Sequence, residues 1–162
     1  MARVLKRTPD GCGMKKTNPD SLPDAEKMKL AIAVFQDRIG YHFKNPLFLE
    51  RALTHASTGD ENYERLEFLG DRVLGLIISE ILYRCFPFEK EGALARRLSA
   101  LACTETLAII ARGLDLHDIV IASASERAAG GNKQDNLLAD CMEAIIGAIF
   151  LDHGYIACQE VV

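Results

Sequence analysis

The segment NYERLEFLGDRVLGLIISEIL, residues 62–82, sets Glu64, Glu67 and Asp71 into a run otherwise rich in leucine and isoleucine. Leu66, Leu69, Leu74, Ile77, Ile78 and Ile81 recur at helical spacing, which predicts one long helix. At about 100° per residue the three carboxylates fall within about 60° of one another. Their face continues as Leu74, Ile78 and Leu82, core residue types, so the acids stand at the mouth of a buried stripe. Arg65, Arg72 and Ser79 take the far side, but Leu69 and Leu76 fall near them and predict a helix buried almost all round. A second apolar run, NLLADCMEAIIGAIFLDHG at 136–154, repeats the anomaly. Its Asp140 and Glu143 are i, i+3 neighbours whose face continues as Gly147, Phe150 and Leu151.

If these two helices pack with the acidic faces together, Glu67, Asp71, Asp140 and Glu143 meet. Carboxylates that close repel and raise one another's pKa unless a cation neutralises them. An all-oxygen set suits a hard divalent ion, Mg²⁺ or Mn²⁺, rather than zinc or copper. Neither helix carries the Glu-x-x-His pair of a di-iron bundle, which disfavours a redox centre. The plainer alternative is a solvated set of acids paired with Arg65, Arg72 or Lys133. Close acids on two separate core-type helices weigh against it.

The elements that would position these residues follow from the rest of the chain. EKMKLAIAVFQDRIG reads as a helix ended by Gly40, and NPLFLERALTHAS opens with Asn45 as N-cap and Pro46 at the first helical position. Pro87 stops the long helix. ALARRLSALACTETLAIIARGL is helical with a break expected near Thr104 and Gly113 as terminator. HDIVIASASE fits a short helix or a brief extended run, AAGGNKQD is a loop, and YIACQEVV begins a further helix after Gly154. With no period-2 strands elsewhere, the fold class is all-α. Gly70 lies between Phe68 and Asp71 at a helical position where glycine costs about 1 kcal/mol against alanine, so it is expected to admit a neighbouring backbone.

A chain of 162 residues with 49% hydrophobic content suits one globular domain. Residues 1–24 hold three prolines and no apolar period and are expected to be a flexible tail, leaving 25–162 as the domain. The longest uninterrupted apolar stretch, AIIGAIFL, falls short of the ~18 residues that suggest a membrane span, and no membrane partner is expected. Five cysteines, never spaced C-x-x-C, read as free thiols in a reducing cytoplasm. The net charge of −4 argues against nucleic acid on charge alone, yet acids that bind a divalent cation present positive charge once loaded. The apolar end at Val162 suggests that more protein follows.

NYERLEFLGDRVLG resembles the signature of the ribonuclease III family of double-stranded-RNA endonucleases. The likeness continues through LTHAS, EGALARRLSAL, ETLAIIARGL and GGNKQDNLLADCMEAIIGAIFLDHGY, covering roughly residues 28–162. It is to the bacterial, stand-alone form, and it implies a homodimeric all-helical endonuclease domain. It also implies Mg²⁺, with Mn²⁺ as substitute, no organic cofactor, and cleavage of double-stranded RNA to 5′-phosphate and 3′-hydroxyl ends in ribosomal and other precursor processing. By resemblance Glu67, Asp71, Asp140 and Glu143 are the metal-binding carboxylates, with Asp71 and Glu143 foremost in catalysis. Glu64 supports the dimer and substrate surface, and Phe68 inserts into a socket on the partner subunit; an ordinary core phenylalanine is the competing reading. The family's C-terminal double-stranded-RNA-binding domain has no counterpart in these residues. Cys103 and His153 stand where the family more often has valine and glycine. His55 reads as a loop-ordering histidine, the GGNK segment as a plain turn, and Arg96, Arg97 and Lys133 as phosphate contacts or a solvated face. The rival function is a non-catalytic relative serving as a dimerisation or RNA-scaffolding module. Such relatives lose catalytic carboxylates, and this chain keeps all four.

Overall fold

Seven α-helices follow one another in the computed structural model, which describes residues 23–162; the segment expected to be a tail lies outside the described residues as far as residue 22. They are α1 (Asp24–Ile39), α2 (Pro46–Leu53), α3 (Glu64–Cys85), α4 (Glu91–Leu101), α5 (Thr104–Gly113), α6 (Ala124–Ala128) and α7 (Asp135–Val161). Helix α1 ends where Gly40 turns left-handed at φ 69°, and α2 starts with the Asn45 side chain accepting from the Leu47 N–H ahead of Pro46. The expected break between α4 and α5 falls at Ala102 and Cys103, where the Thr106 hydroxyl donates back to the Ala100 carbonyl at 2.9 Å. Helix α5 ends at Gly113 as expected, and the chain turns left-handed two residues later at Asp115, whose φ is 56° and whose carboxylate accepts from Arg38 at 2.6 Å.

Helices α3 and α7 form the central pair, with α2 and α5 laid against α7 and α4 against α3. The pair is close because both helices offer a glycine at the crossing. A Cβ on Gly70 would be driven into the carbonyl oxygen of Glu143, and one on Gly147 into the carbonyl oxygen of Leu66. The expectation for Gly70 therefore holds, and Gly147 is its counterpart on the facing helix. Ile145, Ile146, Ala148 and Ile149 are buried around α7, which explains a mean hydropathy of 1.4 that would suffice by length and composition for a membrane span. Gly154, at φ 78° and ψ −170°, kinks α7 where the sequence changes from FLDHG to YIACQ.

Helix α3 is not buried all round. Phe68, Leu76 and Tyr83 are 70%, 58% and 74% exposed, and Arg72 and Ser79 lie exposed between them. Core helices cover only the side facing α7 and α4, so the far side is an apolar stripe open to whatever meets it.

The ambiguous HDIVIASASE resolves into both alternatives. A 3₁₀ turn at Leu116–Asp118 leads to an isolated parallel bridge between Thr54 and Ile121, and α6 follows. The His55 N–H donates to the Ile121 carbonyl and the Ile121 N–H to the Leu53 carbonyl, each at 2.8 Å. This joint fixes the loop that leads into α3. At the far end of α7, Asp152 accepts from the Tyr41 hydroxyl at 2.6 Å and from the Lys44 and Asn45 N–H groups at 2.8 and 3.1 Å, anchoring the α1–α2 turn.

Candidate functional site

Because Gly70 rests on the backbone of Glu143, the acids on either side of the contact are forced into one neighbourhood. Glu67 and Asp71 from α3, and Asp140 and Glu143 from α7, are all half-buried, whereas Glu64 is exposed at the rim. Burial pushes the Glu143 carboxyl up to about 7, reinforced by the charges of Asp71, Glu67 and Asp140 and opposed by Arg72. Glu67 is likewise raised, by burial and then by Asp140, Glu64 and Asp71. Burial also raises Asp140, against a hydrogen bond from Tyr63 and the nearby His55. The Cys141 thiol behind them is pushed up to about 12, first by burial and then by Asp140 and Glu67. It is therefore inert at neutral pH.

Compensating cations are few. Arg72 reaches Asp71 at 2.6 Å, but its side chain is 70% exposed and the pair is a weak one. Among the described residues no ion pair reaches Glu67, Asp140 or Glu143. The pairing with Arg65 or Lys133 that a solvated set would need is not made. The four acids offer only oxygen donors, the kind a hard divalent cation takes; burial raises three of them, and neighbouring carboxylates add to the rise at Glu67 and Glu143. The side chains do not form a closed ligand sphere, since among the described residues no three His, Cys, Asp or Glu groups stand within metal-holding distance.

Phe68 projects outward with Glu64, Leu66, Leu69 and Leu151 around an open hollow of about 570 Å³, so it is not a core phenylalanine. His55 orders its loop, its Nδ1 accepting from the Ser57 N–H at 3.2 Å. Of the basic residues, Arg97 is engaged: its guanidinium forks onto Glu89 at 2.7 and 2.8 Å and stacks 3.9 Å from the Phe86 ring. Tyr63 is the residue that sequence reasoning passed over. It is 6% exposed and its hydroxyl lies 3.4 Å from Asp140 Oδ2. A tyrosine immediately before an acidic helix start is the available signal, because a buried phenol needs a partner.

The raised Glu143 carboxyl gives the apo protein a pH-dependent stability. Its ordinary value is 4.5 and its folded value about 7, so between these the folded state holds a proton that the unfolded chain has released. Stability contributed by this group is full below pH 4.5, falls as pH rises toward 7, and is level above. After discounting for half-burial the loss is about 1–2 kcal/mol. In the presence of chelator, thermal unfolding should therefore drop by a few degrees more between pH 5 and pH 8 in the parent than in Glu143→Gln. Parallel curves for the two proteins would show that Glu143 is not strained.

Residues 45–162 match the ribonuclease-III-like family. The chain is similar to the Ribonuclease 3 of Legionella pneumophila, 44% identical over 135 residues that cover 83% of this chain and 60% of that one. It is 49% identical over 124 residues to the Ribonuclease 3 of the Wolbachia of Brugia malayi, covering 72% of this chain and 51% of that one. It therefore spans between half and two thirds of the length of these curated relatives. The nuclease domain of ribonuclease III from Campylobacter jejuni, described as flexible in a region involved in its dimer formation, shares the fold at a TM-score of 0.78. The two are 39% identical, over 80% of this chain and 92% of that domain.

Proposed function

Since this chain belongs to the ribonuclease-III-like family, we propose that it is the catalytic part of a divalent-metal-dependent endonuclease that cuts double-stranded RNA as a homodimer, leaving 5′-phosphate and 3′-hydroxyl ends. The observation that carries the reading is the half-buried convergence of Glu67, Asp71, Asp140 and Glu143 across the Gly70–Gly147 contact, with little cationic compensation. Those four residues would hold Mg²⁺ or, in substitution, Mn²⁺. The ion, when bound, supplies charge stabilisation at the phosphate and a more acidic water. Asp71 and Glu143, whose charges bear on each other, are the foremost ligands of that ion in this reading. The apolar α3 stripe with Phe68 supports an isologous dimer, in which one site per subunit addresses each strand of a duplex. Glu64 at the rim serves that interface and the RNA. A-form RNA is read by shape and phosphates, so little sequence preference is expected from this region. The four described cysteines are free, in keeping with a cytoplasmic role in processing ribosomal and other precursor RNA.

The test is incubation of the chain with a long RNA duplex at low salt, with and without Mg²⁺. Fragments bearing 5′-phosphate and 3′-hydroxyl ends should form only with Mg²⁺. Binding should weaken steeply as salt rises, because phosphate contacts dominate affinity. A folded, dimeric, RNA-binding chain that makes no cut with Mg²⁺ or Mn²⁺ would be a scaffolding module instead.

A further inference from the structure

Tyr63 occupies a junction that serves both halves of the acidic cluster. Its carbonyl oxygen accepts from the N–H groups of Leu66 and Glu67, each at 2.9 Å, and so starts the helix that carries Glu67 and Asp71. Its own N–H donates to the Thr54 carbonyl at 2.9 Å, tying that start to the loop joint at Ile121. Its hydroxyl crosses to the facing helix and meets Asp140 Oδ2 at 3.4 Å.

The ring is held from behind. His55 packs against it with centroids 5.7 Å apart and planes tilted by 42°. His55 is fixed by its N–H to the Ile121 carbonyl at 2.8 Å and by its Nδ1 to the Ser57 hydroxyl at 2.9 Å; that hydroxyl in turn accepts from the Ser123 N–H at 3.1 Å. The phenol thus reaches Asp140 from a braced position.

We propose that the Tyr63 hydroxyl is a positioning group for Asp140, holding its carboxylate in the site in the orientation from which it ligates the divalent cation, with His55 bracing the ring. The inference rests on the metal-site reading above. A hydrogen bond donated to a ligating carboxylate favours its charged form and restricts its rotation, and loss of such a partner typically weakens metal binding about 10–100-fold.

The experiment is Mg²⁺ and Mn²⁺ titration of the full apo chain by calorimetry, on the parent, Tyr63→Phe, Asp140→Asn and the double variant, with circular dichroism to verify folding. Tyr63→Phe keeps the ring and its contact with His55 and deletes only the hydroxyl. The expected result is metal affinity about 10–100-fold weaker in Tyr63→Phe. In cleavage assays the half-saturating Mg²⁺ should rise by a similar factor, while the rate at saturating Mg²⁺ stays within a few-fold of the parent. In the Asp140→Asn background the same substitution should change affinity no further, because the hydroxyl acts through Asp140. Unchanged affinity in Tyr63→Phe overturns the proposal, and so does an equal additional loss in the double variant. In either case a loss caused by Asp140→Asn alone leaves the metal-site reading standing. A parent that binds neither ion overturns both.

Discussion

Glu143→Gln is expected to lower Mg²⁺-dependent cleavage of double-stranded RNA by at least about a thousandfold without unfolding the protein. Glutamine keeps the shape of the side chain and removes the charge, so the packing of α7 on α3 is unchanged. The loss follows from the site's construction. Glu143 is the acid that burial and the charges of Asp71, Glu67 and Asp140 raise to about 7, and its backbone is the one on which Gly70 rests. An ion held there contributes several kcal/mol of charge stabilisation in the transition state, and about 4 kcal/mol corresponds to a factor of a thousand. Glu64, exposed at the rim, offers the contrast: Glu64→Gln should stay within about tenfold of the parent. The check is single-turnover cleavage at saturating Mg²⁺, because it separates the chemical step from RNA binding. A Glu143→Gln rate within tenfold of the parent would remove Glu143 from the metal site. The same variant should be more stable than the parent in chelator at pH 8, and that gain would show that the lost rate is not lost folding.

Much of this was legible in the residues because the periodicities of α3 and α7 are strong and their acids interrupt core-type faces. The start of α2 at Asn45 and Pro46 and the end of α1 at Gly40 could be read from capping chemistry alone, and the break between α4 and α5 from its neighbourhood. What the sequence did not disclose depends on which surfaces the fold leaves uncovered. Leu69 and Leu76 made α3 look buried throughout, yet no helix of the described residues covers the side bearing Phe68, Leu76 and Tyr83. An apolar residue left open on a helix face has the same composition as one in the core. The bridge between Thr54 and Ile121 is nonlocal and brief, so it leaves no period-2 signature, and the left-handed Asp115 carries none of the glycine signal that drew attention to Gly113. Tyr63 was missed for a related reason. Its partner Asp140 lies on another helix, and only the α3–α7 contact brings the phenol and the acid together.

That contact yields the last expectation: Gly70→Ala should destabilise the protein by about 2–4 kcal/mol even though alanine is the better helix former by about 1 kcal/mol. The added methyl would meet the carbonyl group of Glu143, which is backbone in the middle of a hydrogen-bonded helix and has no rotamer to escape into. Relief therefore requires α3 and α7 to separate, and Gly147 seated on the Leu66 carbonyl means the pair would lose contact on both sides of the crossing. Separation by even about an ångström would also pull Glu67 and Asp71 away from Asp140 and Glu143, a misplacement of the size that costs about a hundredfold in rate. Gly75 is the internal control. It lies five residues further along the same helix and has nothing within 4 Å of where its Cβ would stand, so Gly75→Ala should be neutral or stabilising by up to about 1 kcal/mol. Urea unfolding midpoints of the two variants, compared at equal protein concentration, distinguish the causes. If both glycines respond alike, helix propensity governs and the close approach does not. If Gly70→Ala alone falls, together with its cleavage rate, then the glycine contact is what sets the spacing of the four acids.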